Sequence, residues 1–546
     1  MIFLLGLFLR TIGISSLPAG FTADEAAFGY NAYSLLTTGK DEWGVPFPLA
    51  LRSFGDFKLP LYAYIDVPFV SIFGLTPTAV RLPSALLGSF AVLVIYLLTK
   101  ELAADFDKSE FTPLLSAILL AFSPWHIMIS RGAFEANLTT FLSPLGLLLM
   151  IKGLRRETLL YLGVMVLGLN LYSYHSARMF TFFILVIFFL YFKDKISLLS
   201  AKWLKALGIF FIFALPMMVS FVTKSSRRVS DIAIFHPTDN WQNLAETQYF
   251  LTQSGKPRFI TRIFENKITT TTRTFLENYF SYLSPQFLFT SGPSESTYGM
   301  MPGRGVLYLW VLPLLLIAIS TAIKYPSSQR KILALVLLGF IPASLAKGLS
   351  AAARAATVIP FLELFVSLGF SYWWLKNSRR HPLKSPLVKL TFLIFSIYIS
   401  LSYIFSYVFL SPLQTAPSMA YGWKQATAYL NKFPQHRILI NRGLSEPHIF
   451  IAFYNKLDPA TYQTQTQDWY RYEKQNLKFL DMLGEYSLGR YTIKTVDFNT
   501  DINLSDTIIV AKPFDINAFK ITPDYVINYP SGQPALVIIH SRKTLQ

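Results

Sequence analysis

Residues 81–100 read RLPSALLGSFAVLVIYLLTK, and no charged residue interrupts the run between Arg81 and Lys100. That length and character suit a helix crossing the ~30 Å hydrocarbon core of a bilayer. Similar runs recur upstream of residue 411. With 52% hydrophobic and 15% charged residues among 546, the chain carries more apolar surface than one or two soluble cores absorb. The expected fold is an α-helical polytopic membrane protein of about eleven transmembrane helices. Their centres fall near residues 9, 91, 119, 142, 165, 185, 212, 315, 339, 365 and 399. Beyond residue 410 an ordinary soluble mixture returns, which divides the chain into a membrane domain, 1–410, and a tail, 411–546.

The formal charge of +18 does not indicate nucleic acid, because much of it lies in short connectors between apolar runs. Lys100 and Lys108, then Lys152, Arg155 and Arg156, then Lys193, Lys195, Lys202 and Lys205 follow spans two, four and six. Lys324, Arg330 and Lys331, then Arg379, Arg380, Lys384 and Lys389 follow spans eight and ten. Positive connectors face the cytoplasm, so the amino terminus is expected inside and the tail outside. Residues 19–78 and 223–304 then form two further outer pieces. The first segment, Met1 to Leu17, lacks a basic leader and a small-residue cleavage site and reads as a retained span. Arg10 interrupts it: either the side chain reaches an interface or partner, or the helix continues upstream of Met1.

The tail alternates a helical stretch, Tyr421 to Phe433, with β-rich runs at Arg437–Asn441, Tyr491–Phe498, Thr507–Val510 and Ala535–His540. That alternation predicts a soluble α/β domain. Cysteine is absent, which excludes disulfides and thiol chemistry. No internal repeat supports a transporter built from duplicated halves.

Chemistry is sought on the outer side. Asp24 and Glu25, in Gly20-Phe21-Thr22-Ala23-Asp24-Glu25, follow the first span. Thr22 suits an N-cap with both acids in the first helical turn, and a carboxylate at the bilayer surface also suits a general base acting on an acceptor hydroxyl. Arg52, Asp56 and Lys58 precede Pro60 in a second polar stretch suited to a phosphate, although headgroup contact explains single cations equally well. Arg131 and Glu135, His175 and Arg178, and Arg354 fall at outer helix ends, and several costly ionisable residues at one depth suggest a shared polar cavity. The acids have no metal-ligand spacing; a carboxylate-rich divalent cation site stays open. No Gly-x-Gly-x-x-Gly, Walker loop or Asp-x-Asp pair marks a nucleotide donor.

Pro18-Ala19-Gly20-Phe21 with Asp24-Glu25, Gly39-Lys40-Asp41-Glu42, Phe54-Gly55-Asp56-Phe57-Lys58 and Arg81-Leu82-Pro83-Ser84 together resemble the GT-C superfamily. More narrowly they resemble bacterial protein O-mannosyltransferase-like proteins, whose relatives include the aminoarabinose transferase of lipid A. The resemblance is strongest over residues 18–180. It implies inverting transfer of a hexose or pentose from a polyprenyl-phosphate-linked donor to a protein, glycolipid or polysaccharide acceptor, outside a bacterial plasma membrane. It makes Asp24 the catalytic residue with Glu25 as second member, and places Lys58 at the carrier phosphate, although relatives carry Lys-Pro-Pro where this chain has Lys58-Leu59-Pro60. The expected substrate-binding set is Lys58, Asp56, Arg131, Glu135, His175, Arg178, Arg354 and Tyr30. Competing expectations are a lipid-linked sugar transporter and an O-antigen polymerase or ligase.

Overall fold

The computed structural model describes residues 1–196, 200–220, 233–235, 239–293, 297–325, 328–377 and 386–542. Arg379, Arg380 and Lys384 of the last basic connector, and the start of the second outer piece at 223–232, lie outside the described residues. The chain is mostly helical. Helix α1 spans Ile2–Thr11, α2 Ala23–Thr38, α3 Leu61–Phe73, α4 Pro77–Ala103, α5 Phe111–Phe122 and α6 Pro124–Ser130.

A helix lies at each of the eleven expected centres, and length and composition single out a smaller set of candidate spans. Six described helices are long and apolar enough to cross a membrane, or up to eight if each of two bent pairs counts as one span. The six include α4, His175–Lys195, Ala353–Lys376 and Pro386–Thr415. Helix α1 has 10 residues and Glu157–Asn170 has 14. At 1.5 Å per residue the longer of these reaches about 21 Å, short of the ~30 Å core. Hydropathy finds apolar helices whether or not they are long enough to span.

One bent pair is α5 with α6, which meet at 56° around Ser123 and Pro124. Such a break releases backbone carbonyls inside an apolar bundle, where they need donors. Arg10 supplies them. Its guanidinium, fully buried, donates to the carbonyls of Leu120 and Ala121 at 3.0 Å and to that of Gly6 at 3.0 Å, and stands 2.8 Å from His126 Nδ1. The structure shows that Arg10 has partners inside the bundle.

The first outer piece contains α2, a short antiparallel hairpin of β1 (Leu51–Ser53) and β2 (Asp56–Lys58), and α3. Gly29 lets α2 press between α4 and the tail helix Pro447–Tyr454: a Cβ there would sit 2.5 Å from Val80 and 2.7 Å from Phe453.

In the tail, strands β3 (Arg437–Asn441), β4 (Glu485–Leu488), β5 (Tyr491–Lys494), β6 (Thr507–Ala511), β7 (Tyr525–Asn528) and β8 (Pro534–His540) form one sheet in the order β4-β5-β3-β6-β8-β7. The central β5-β3-β6 pairings are parallel and the outer ones antiparallel. Both faces of the centre are covered, which fits uninterrupted apolar strands such as Ile438-Leu439-Ile440. Leu439, Ile509 and Ile539 pack against Val496 and Phe498. Ile438, Ile440, Ile508 and Ile538 instead join one cluster with Ala26, Phe28, Trp43 and Tyr62 of the first outer piece. Tail and first outer piece therefore share a hydrophobic core.

Polar contacts pin that interface: Leu480 N–H donates to Phe54 O at 2.9 Å, Arg52 pairs with Glu473 at 2.9 Å, and Gln463 Nε2 donates to Ser34, Thr38 and the Asp41 carbonyl. The hairpin turn at Gly55 has φ +112°, and a Cβ there would meet Lys478 O at 2.6 Å. Gly55→Val is expected to cost about 1–3 kcal/mol through overpacking, on top of the positive-φ strain, and to loosen the tail. A lower thermal midpoint with faster proteolysis of the tail checks it; unchanged values contradict the shared core.

Candidate active site

Helix α2 starts with a capping box. Glu25 N–H donates to Thr22 Oγ1 at 3.2 Å, and Thr22 N–H returns a bond to Glu25 Oε2 at 2.9 Å. The two acids of the pair then face opposite environments. Glu25 is completely buried and meets the fully buried guanidinium of Arg81, Nε to Oε1 at 2.7 Å and Nη2 to Oε2 at 3.1 Å. Ala133 N–H adds a bond to Oε1 at 3.0 Å. Arg81 spends its remaining donors on the carbonyls of Ile14, Pro18 and Gly20. Such a carboxylate has its acceptor sites filled and holds a loop.

Asp24 points the other way. Its side chain is 36% exposed, and Oδ1 stands 2.6 Å from Lys58 Nζ, whose own side chain is 3% exposed. The ammonium lies 4.6 Å from the Phe54 ring centroid and 5.5 Å from that of Phe28. Desolvation between aromatic faces strengthens the attraction of a lysine for an anion. A half-open carboxylate beside a sheltered ammonium is thus the distinctive chemistry of the site. The Asp56 side chain lies outside the described part of the structure, although its backbone pairs with Ser53.

Glu42, quoted above only as part of a motif, is 2% exposed beneath the same loop. Its N–H donates to Asn31 Oδ1 at 3.0 Å, while its Oε2 has no hydrogen-bond partner. Burial raises its carboxyl to about 8, against the opposing pull of the Lys58 charge. From the tail, buried His448 packs on Phe54 with centroids 6.0 Å apart and bonds Tyr486 at 3.0 Å. Burial lowers its imidazole to about 4, so it is neutral at pH 7. Sequence reading missed Glu42 and His448 as site residues, and Arg81 entered only within a motif. A charged residue inside an apolar helix was the available signal for Arg81.

The remaining expected residues divide. Glu135 begins a short helical turn two residues beyond Ala133, within about 7 Å of chain from the Glu25 carboxylate contact. Arg178 lies within electrostatic reach of Glu135 and donates to Leu171 O at 3.2 Å. His175 opens that helix, and the turn Ala353–Val358 bearing Arg354 packs against the Glu135 turn. Arg354 donates to the Lys347 carbonyl. These four gather at one end of the bundle. Arg131 does not join them: its guanidinium caps α1, donating to the carbonyls of Leu9 at 2.6 Å, of Ile12, and of Leu17 at 3.4 Å. Tyr30 is likewise taken up in packing, with its hydroxyl donating to Leu457 O at 3.0 Å and its ring 5.0 Å from that of Tyr462. Among the described residues no three His, Asp or Glu side chains come together as a metal site.

Residues 58–219, from Lys58 through Arg178 and beyond, match the family model of dolichyl-phosphate-mannose-protein mannosyltransferase. The whole chain superimposes on the crystal structure of ArnT from Cupriavidus metallidurans bound to undecaprenyl phosphate, with a TM-score of 0.53 at 12% identity over 98% of this chain and 97% of that one. The fold is that of the ArnT structure. A further likeness is to the oligosaccharyltransferase AglB from Archaeoglobus fulgidus in complex with an inhibitory peptide and a dolichol-phosphate, at a TM-score of 0.46 and 13% identity over 87% of this chain and 68% of that one. No curated protein sequence matches the chain. Within this fold, Asp24, Lys58 and the Glu135 turn lie on the loops and helix ends that the Arg81–Glu25 pair draws together.

Removing one partner of that pair strands a buried charge. Arg81→Leu is expected to lower stability by about 3–5 kcal/mol, and adding Glu25→Gln should recover part of it; thermal unfolding of the purified variants in one detergent reads both. Glu42 supplies a pH signature. Its folded carboxyl binds a proton more tightly than the ordinary value of 4.5, so its stability contribution is complete below that value and is lost as pH rises toward about 8. The fall in thermal midpoint across that window should flatten in Glu42→Gln.

Proposed function

We propose that this protein is an inverting glycosyltransferase that moves a monosaccharide from a polyprenyl-phosphate-linked donor to an acceptor on the outer face of a bacterial plasma membrane. The observation that carries the reading is the 2.6 Å pair of exposed Asp24 and sheltered Lys58. The undecaprenyl phosphate in the ArnT crystal structure supports a lipid carrier. The basic connectors support an amino terminus inside and a site outside.

The pair suits a single displacement. In the ligand-free protein the two groups satisfy each other; an arriving carrier phosphate competes for Lys58 and leaves Asp24 facing the acceptor. Asp24 accepts the proton of the acceptor hydroxyl as its oxygen bonds to the anomeric carbon. The bond from that carbon to the phosphate oxygen breaks on the opposite face, and the departing phosphate keeps the electron pair. Lys58 stabilises the charge that develops there, with stronger effect because aromatic rings shield it from water. Arg178 and Arg354 complete the positive surround, and Glu135 orients the acceptor. Glu25 supports Asp24 only by fixing the helix start. Among the described residues no three acids or histidines cluster as a metal site, and no step depends on a divalent cation.

Asp24→Asn is expected to lower transfer of radiolabelled sugar from synthetic polyprenyl-phosphate donors by about 10²–10⁴-fold at unchanged protein abundance. Full transfer by that variant would sink the assignment of the base.

A further inference from the structure

The side chains around Lys58 leave polar capacity that the displacement does not use. Ser53 is completely buried and its Oγ has no hydrogen-bond partner. In the hairpin, Ser53 pairs with Asp56 and Leu51 with Lys58, so Ser53 and Lys58 project to the same face as diagonal neighbours, with Cα atoms about 7–8 Å apart. Glu42 contributes the unmatched Oε2 already described, within electrostatic reach of the same lysine. Buried polar atoms are nearly always paired in proteins, and two unpaired ones beside one cation call for a ligand that supplies hydroxyls.

We propose that Glu42 and Ser53 form the subsite for the donor's sugar ring, each hydrogen-bonding a sugar hydroxyl while Lys58 holds the carrier phosphate. The inference rests on the glycosyltransferase reading and deepens it. In a sugar phosphodiester or phosphomonoester the anomeric carbon is one oxygen away from phosphorus, so groups that recognise the ring must lie within a ring's width of the phosphate cation. Ser53 approaches Lys58 from the hairpin, and Glu42 lies within its electrostatic reach from the loop following α2. A carboxyl kept protonated by burial can both donate to and accept from a hydroxyl, and the serine hydroxyl can do the same. Phe54 and Phe28 offer apolar surface beside the lysine. A site whose buried polar groups are satisfied only by substrate hydroxyls discriminates strongly against donors that lack them.

The test uses purified full-length protein in lipid, with wild type, Ser53→Ala, Glu42→Met and Glu42→Gln. Two ligands are compared: polyprenyl phosphate without sugar, read by direct binding, and the sugar-bearing donor, read by kcat/KM. The expected result is unchanged binding of the sugar-free carrier and a kcat/KM lower by about 10–10²-fold in Ser53→Ala and Glu42→Met, with Glu42→Gln retaining most of the activity. Donors deoxygenated one position at a time should then lose little further activity in the variant whose partner hydroxyl has been removed. Equal loss of sugar-free binding, or unaltered kcat/KM in both variants, overturns the subsite. If the wild type transfers sugar from none of the donors while Asp24→Asn behaves identically, the glycosyltransferase reading falls and the subsite with it. If the wild type transfers and the Ser53 and Glu42 variants match it, only the subsite falls.

Discussion

The arrangement of this site depends on one buried ion pair. Arg81 reaches out of an apolar helix and binds Glu25 through two nitrogens, while its other donors close on three carbonyls of the segment between α1 and α2. A charge pair without water is tolerable only when nearly every polar atom is matched, and here Thr22 and Ala133 supply the rest of the carboxylate's needs. Because Glu25 is held inward, Asp24, its neighbour on the first turn of α2, is turned outward toward Lys58. The knot also ties Ala133, just before the Glu135 turn, to the helix start, so one interaction helps set the spacing between the exposed acid and that turn.

A second constraint comes from the tail. Its sheet has two covered faces, and one is covered by the loop that carries the site. Trp43 meets Trp469, Tyr470 and Tyr472 edge to face, and Arg52 lies over Tyr470 beside Glu473. Aromatic contacts of this kind fix orientation as well as bury area. Lys58 is thus sheltered by rings from the first outer piece, and one of those rings rests on a histidine from the tail.

Much of this was legible in the sequence, and the gaps have physical causes. Apolar runs located the helices because a bilayer demands them, but a hydropathy reading has no view of bends, so α5 and α6 looked like one straight span. Thr22 and the acids after it showed the cap, since capping chemistry is local. Strands β3, β6 and β8 appeared as continuous apolar runs, whereas β4, with its alternating pattern, and β7, mostly exposed, carried weaker signals. A guanidinium at a helix end satisfies carbonyls as readily as phosphates, and the carbonyls that Arg131 meets, on the distant Leu9 and Leu17, are not visible in local sequence. Glu42 and His448 stayed hidden since their importance lies in what surrounds them across hundreds of residues.

The backbone contact between Gly55 and Lys478 bears on how such a chain can diversify. Two surfaces that close to within the space of a single methyl group cannot drift independently: a changed tail needs a matching hairpin, and a changed hairpin a matching tail. Recombination that exchanged the tail alone would therefore yield a mismatched chimera, whereas moving residues 39–60 together with it would carry both halves of the joint. The tail and the first loop, separated by the whole membrane domain in sequence, would thus have to change together.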